Sequence, residues 1–279
     1  MEIPKKPLIV PWDFTKIAEF ALEFAAKISK IDGSDIYLVH IAKRKSEVKQ
    51  LRGILEKYAA NEAYEKYNVK PSVIVREGTI FSTIGEIADE IDAGMTIMGT
   101  HGIKGMQKLT GSWALKVIVS SRVPFVVVQT PPADSKFEHI VFPVDFRRED
   151  KEKINGIIYL HKYFDSKIHI FKPRKTDKWL LKGINSNITF ARKMLKQKDV
   201  DYDIVEAPGE KSFAKETIDY AKQVNAELII TMSTKNIGFT DYMFGAVEQY
   251  IIANSAKIPV MCLNPRKSQM SGGFSAMGG

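Results

Sequence analysis

The sequence predicts an α/β protein built from parallel sheets whose two faces are covered by helices, with the pattern occurring twice along the chain. Three observations predict it. Short apolar runs alternate with stretches of helical periodicity, the signature of right-handed β–α–β crossovers. The runs are mostly continuous and some are rich in β-branched residues, as strands buried on both faces must be. The whole pattern then returns at an offset of 132 to 135 residues, too long for a solenoid and right for tandem domains.

Taken in order, Leu8–Val10 reads as the first strand, and Pro11 fixes the turn that ends it. Asp13 and Thr15 are both good N-caps for the helix that follows, in which Ile17, Phe20, Ala21, Phe24 and Ile28 fall on one face. Ile36–Ile41 is the second strand, and Leu51, Ile54, Leu55 and Tyr58 mark the next helix. Pro71–Val75 is the third strand, followed by Ile84, Ile87, Ala88 and Ile91 at helical spacing. Met95–Met98 is the fourth strand, Trp113, Val117, Ile118 and Ser121 suit a helix, and Phe125–Val128 closes the unit.

The repeat is explicit. Leu8-Ile9-Val10-Pro11-Trp12-Asp13-Phe14 returns as Ile140-Val141-Phe142-Pro143-Val144-Asp145-Phe146. Arg122-Val123-Pro124-Phe125-Val126-Val127-Val128-Gln129 returns as Lys257-Ile258-Pro259-Val260-Met261-Cys262-Leu263-Asn264. The Pro-containing stretch Thr130–Ser135 separates the copies, so the expected domains are residues 1–132 and 137–266, with a flexible glycine-rich tail at 267–279. The closing strands Phe125–Val128 and Val260–Leu263 are the expected seam between them, since unpaired edges seek cover.

With 44% hydrophobic and 27% charged residues, the chain reads as globular, and no apolar run reaches the ~20 residues that span a bilayer. No signal-like apolar region follows the amino terminus, and a single cysteine, Cys262, excludes an internal disulfide and reads as an inert core thiol. The expected compartment is the cytoplasm. The net charge of +8, counted by halves, is +3 over residues 1–136 and +5 over 137–279. Counted this way the basicity looks dispersed and interleaved with Glu, as in Lys43-Arg44-Lys45-Ser46-Glu47, so nucleic acid is not an expected partner.

The chemistry concentrates where strands end. Gly99-Thr100-His101-Gly102 follows the fourth strand, and Gly111-Ser112 opens the next helix. Glycines let a backbone approach a ligand closely, and a helix N-terminus favours an anion such as phosphate. The pattern is neither a Walker A loop nor the GxGxxG fingerprint. Asp13 lies at the same strand edge, where it can accept from a ligand or cap a helix. Trp12 beside it packs on the core or lies over a base. His101 has no second group paired with it for general-base work. The remaining histidines, including His139, His161 and His169, show no metal-ligand spacing, so neither catalytic nor metal-binding residues are assigned.

These pieces in this order resemble the universal stress protein family: strand–Pro-x-Asp-Phe-Thr–helix, Leu38-Val39-His40-Ile41, Val75-Arg76-Glu77-Gly78, Met98-Gly99-Thr100-His101-Gly102 with Gly111-Ser112, and the strand after Val123-Pro124. The likeness covers roughly residues 6–130 and 138–265. It implies Rossmann-like domains of the adenine nucleotide alpha hydrolase-like type, each a five-stranded doubly wound sheet. Many members of the family hold ATP or a related adenine nucleotide, and members usually dimerise. By the same resemblance, Gly99, Gly102, Gly111 and Ser112 would cradle phosphates and ribose, with His101 in the loop between them. Pro11, Trp12 and Asp13 would frame the adenine, the backbone at Ile41 would meet the base, and Mg²⁺ would accompany the nucleotide.

Two departures stand out. The spacer Ile103–Thr110 has eight residues where the family pattern has nine, and the second copy shares the shortening between Asn236 and Gly245. The second copy also loses the loop chemistry: Gly99, Gly102 and Ser112 become Ser233, Asn236 and Ala246, and Ile41 becomes Pro173. The expectation is a stress-response regulator binding adenine nucleotide in its first domain, with the second as intramolecular partner in a pseudo-dimer, or a homodimer of chains, and a protein partner that no motif names. The alternatives are a nucleotide-free scaffold and a slow ATPase.

Overall fold

In the computed structural model, the structure describes residues 5–100, 117–118, 121, 123–132, 137–147, 154, 157–158, 160, 164–235, 242–243 and 246–264. The first half runs β1 (Leu8–Pro11), α1 (Lys16–Asp32), β2 (Ile36–Ala42), α2 (Val48–Ala60), α3 (Glu62–Tyr67), β3 (Ser72–Glu77), α4 (Ile80–Glu90), β4 (Met95–Gly99) and β5 (Phe125–Val128). The second runs β6 (His139–Pro143), β7 (Lys167–Lys172), α5 (Lys178–Gln197), β8 (Tyr202–Glu206), α6 (Phe213–Gln223), β9 (Leu228–Met232), a two-residue ribbon β10 (Thr234–Lys235) and β11 (Tyr242–Met243), α7 (Ala246–Ile252) and β12 (Val260–Leu263). The tail expected at 267–279 lies outside the described residues.

The expected strands are all present. β3 starts at Ser72, one residue after the expected Pro71, because proline brings no N–H to a ladder. It runs on to the charged Arg76 and Glu77, which an edge strand tolerates. Within α2, Leu55 is buried but Ile54 is 48% exposed, so the apolar face of this helix is narrower than its sequence pattern implies.

α1 shows how sequence sets an element. Thr15 caps its N-terminus by accepting from the Ala18 N–H, and Gly33 ends it in the left-handed conformation at φ 70°, which costs a glycine nothing. Between the caps Ala18, Ala21, Leu22, Ala25 and Ile28 turn one face inward. Leu8 and Val10 of β1, with Trp12 just beyond it, join the core under α1 and α2, whereas Ile9 joins the opposite one with Ile87 and Ala88, so the strand is buried on both faces.

Among the described residues, ten strands form one sheet in the order β3-β2-β1-β4-β5-β12-β9-β6-β7-β8. Pairing is parallel throughout, except at the centre, where β5 meets β12 antiparallel with Val127, Val126 and Phe125 opposite Val260, Met261 and Cys262. Each half therefore has the same winding, and the two are related by a local two-fold about the Val126–Met261 pair. The expected seam is the observed one. Cys262 is buried there, and burial pushes its thiol well above its ordinary range. One core cluster spans both halves, joining Phe24 of α1 to Phe137 through an edge-on ring contact at 5.2 Å and Phe137 to Phe164 through a tilted one at 4.5 Å.

Candidate functional site

In the first half the chain winds outward from β1 to β2 and β3 on one side and to β4 and β5 on the other. The crevice where winding reverses is where open parallel sheets take their ligands, beyond the carboxyl ends of the strands. Asp13 leaves the end of β1, and Gly99 ends the neighbouring β4.

Local hydrogen bonding fixes the Asp13 turn. Asp13 Oδ1 accepts from the Thr15 N–H at 3.1 Å and from the Thr15 hydroxyl at 2.6 Å, so Thr15 is the cap of α1 and Asp13 braces the cap. Phe14 between them takes φ 62°, a left-handed conformation that a bulky L-residue adopts only when its surroundings impose it. His40 supplies part of that constraint: its Nδ1–H donates to the Trp12 carbonyl at 2.6 Å, and its ring lies 5.0 Å from that of Phe14. The Asp13 carboxylate is left exposed at the crevice.

Gly99 is required by close approach. A Cβ on it would lie 2.3 Å from the Ile17 carbonyl oxygen, so the first turn of α1 rests directly on the end of β4. Thr100 follows, its N–H donating to the Val128 carbonyl at 2.8 Å. Trp12 does not reach the crevice surface. It is 4% exposed and packs against Tyr58 of α2, ring centroids 4.6 Å apart. Trp12 Nε1 and the Tyr58 hydroxyl are both buried without a hydrogen-bond partner among the described residues, and burial holds the hydroxyl protonated well above its ordinary range. Pro11 and Ile41 are half-buried at the ends of β1 and β2. His101, Gly102, Gly111 and Ser112 lie outside the described residues, as does the eight-residue spacer.

The second half builds the matching crevice differently. Asp145 again accepts from a backbone N–H two residues on, that of Arg147 at 2.7 Å. Arg147, which stands where the first half has Thr15, also pairs its guanidinium with Asp145 and with Glu248 of α7, itself 4% exposed. Burial opposes the guanidinium's charge, but the two carboxylates outweigh it and raise its pKa above the ordinary value. Asn187 of α5 donates to the Asp145 and Arg147 carbonyls at 2.8 and 2.7 Å, fixing the turn from below. Ser233, in the place of Gly99, is fully buried and donates to Asn264 Oδ1. The crevice thus holds an internal ion pair where the first half presents an exposed carboxylate.

Sequence reading named Asp13 and Gly99 but missed His40 and Phe14 as the parts that hold the turn, and Arg147 and Glu248 as the pair filling the second crevice. Arg147 and Glu248 stand 101 positions apart in the chain, a separation that leaves no local signal. Among the described residues, no group of three or more His, Cys, Asp or Glu is placed to hold a metal ion, and no helix is long and apolar enough to cross a membrane.

Comparison with known proteins agrees with this architecture. A universal stress protein of Methanocaldococcus jannaschii is 27% identical over 141 residues, 45% of this chain and 83% of that protein. The fold follows that of a universal stress protein from Archaeoglobus fulgidus DSM 4304 over 94% of this chain and 97% of that one, with a TM-score of 0.71 at 16% identity. A functionally unknown protein from Pseudomonas aeruginosa PAO1 shares the fold over 94% of this chain and 93% of its own, with a TM-score of 0.64 at 16% identity. Residues 5–129 match the Universal stress protein family, so the first half of the chain is similar to that family in sequence as well as in fold.

Proposed function

We propose that the first half, residues 1–132, binds an adenine nucleotide, ATP or a close relative, at the crevice between β1 and β4, and that the chain acts as a stress-response regulator. The observation that carries this reading is the convergence of the exposed Asp13 carboxylate and the close-packed Gly99 at the winding reversal of a family domain. Asp13 suits hydrogen bonding to nucleoside hydroxyls or amine edges. The segment after Gly99, with His101, Gly102, Gly111 and Ser112, supplies backbone donors for phosphates, which Mg²⁺ would accompany.

The second half, residues 137–266, acts as a built-in partner. Its crevice carries two carboxylates and one guanidinium, an arrangement that repels phosphate. Linking the halves raises their effective concentration for one another to the ~mM range or above, and the β5–β12 seam uses it.

Isothermal titration of nucleotide-stripped protein with ATP and Mg²⁺ tests the reading. Heat with one site per chain, abolished by Gly102→Asp with the fold intact, supports it. No heat from folded protein favours a nucleotide-free scaffold and makes the shortened spacer the reason. ADP formation at a steady slow rate would add hydrolysis to the function.

A further inference from the structure

The charge of this chain is not dispersed as counting by halves suggests. Residues 172–198 hold nine Lys or Arg against one acidic residue, Asp177, a net +8 that equals the charge of the whole chain. The remaining residues balance, 32 basic against 32 acidic.

The helix α5 turns this excess into a surface. Its twenty residues contain no Asp or Glu. Ile184, Ile188, Ala191 and Leu195 are buried in the core, whereas Lys178, Lys182, Arg192, Lys193 and Lys196 share a solvent-facing side and are all exposed. Lys178 and Lys182 stand four residues apart at one end and Arg192, Lys193 and Lys196 within four residues at the other, two groups on one side of the helix that together span about 27 Å at 1.5 Å per residue. Between the two basic groups stand Asn185, Ser186 and Thr189, also exposed, with hydrogen-bonding side chains. None of the five cations has an ion pair with a described residue, and Asp177 spends its carboxylate on capping the helix at Leu180 N–H. At the N-terminal end Trp179 is 70% exposed and lies 5.4 Å from the ring of Phe146, itself 39% exposed.

We infer that this face of α5 binds single-stranded nucleic acid, its basic row following the phosphates while Trp179 stacks on an unpaired base beside Phe146. A row of unpaired cations separated by amide and hydroxyl groups matches a sugar–phosphate backbone, and an exposed aromatic beside it matches a sequence-tolerant stacking platform. An anionic membrane is the poorer match. An interfacial helix inserts an apolar face into lipid, and α5 has committed its apolar face to the core. A duplex would leave Trp179 without an unpaired base.

The site is separate from the crevice between β1 and β4, so the test does not depend on nucleotide binding there. The full chain is titrated, with and without ATP, against a fluorescent oligothymidylate of about 20 nucleotides at several salt concentrations, anisotropy being read. Binding is expected with a log–log salt slope of about −2 to −4, as for three to five phosphates on a single strand. Arg192→Glu with Lys193→Glu should weaken binding at least about tenfold and flatten the slope, and Lys178→Glu with Lys182→Glu provides an independent pair should the first misfold. Trp179→Ala should weaken binding about fivefold or more and leave the slope unchanged. Absence of binding at low salt, affinity unchanged from the wild type in both charge-reversed variants, equal preference for a duplex with no effect of Trp179→Ala, or flotation with phosphatidylserine vesicles in place of strand binding would each overturn the inference.

Discussion

Gln129 and Asn264 perform the same task from opposite sides of the central seam. The Gln129 side-chain amide donates to the Asn254 carbonyl of the second half at 3.2 Å, and the Asn264 amide donates to the Ser121 carbonyl of the first half at 2.8 Å and to that of Ile118. Each closes carbonyls that a helix C-terminus leaves open, so the halves satisfy one another's backbone.

Asn264→Ala removes the donor from two part-buried carbonyls and frees the Ser233 hydroxyl. A loss of about 2 kcal/mol is expected by urea denaturation, with both halves still unfolding in one transition because they share a core.

Arg147→Ala leaves the Asp145 and Glu248 carboxylates facing each other without the cation between them. Breaking such a pair by removing one partner is expected to cost about 3 kcal/mol. Replacing Arg147 and Glu248 together with Met and Leu should recover most of it, and thermal denaturation of the single and double variants separates the two outcomes.

Gly99→Ala puts a methyl group against the Ile17 carbonyl. The backbone of α1 has to shift, at an expected cost of about 3 kcal/mol. Nucleotide affinity measured by titration at a temperature where the variant is folded should fall with it, because the Asp13 turn rides on the first turn of α1.

Acid should destabilise the fold through His169. This side chain is buried between His139, with Nε2 3.0 Å from His139 Nδ1, and Tyr220, with Nδ1 3.1 Å from the hydroxyl. Burial lowers its pKa and the neighbouring His139 lowers it further, Lys167 adding to the effect while Asp203 and Asp201 oppose it. The folded protein then takes up this proton less readily than the unfolded chain. Stability from the neutral ring is full above the unfolded histidine value of about 6.5 and falls as pH drops through it, levelling off below the folded value. His169→Gln should flatten that part of the stability–pH curve, measured by denaturant unfolding at stepped pH.

Most strands and the seam were legible because continuous apolar runs such as Phe125–Val128 have few other places to go. Asp13 and Gly99 were legible as a strand-end carboxylate and a strand-end glycine. The left-handed Phe14 was not, since no local preference favours that conformation and contacts from His40 impose it. Ile54 looked like core and faces water, because periodicity reports a helix face but not how much of it the sheet covers. The basic row on α5 was hidden by averaging over half a chain; counting within one helix reveals it.

The pair Val126–Met261 lies where a two-fold axis would pass, flanked by Val127–Val260 on one side and Phe125–Cys262 on the other. Two identical chains meeting at such an axis would have to place the same residues in both flanks, so every fit would be made twice or not at all. Covalent linkage of unlike halves lifts that requirement. One flank packs two medium side chains and the other a large one against a small one, a lock-and-key asymmetry that no self-associating strand can attain.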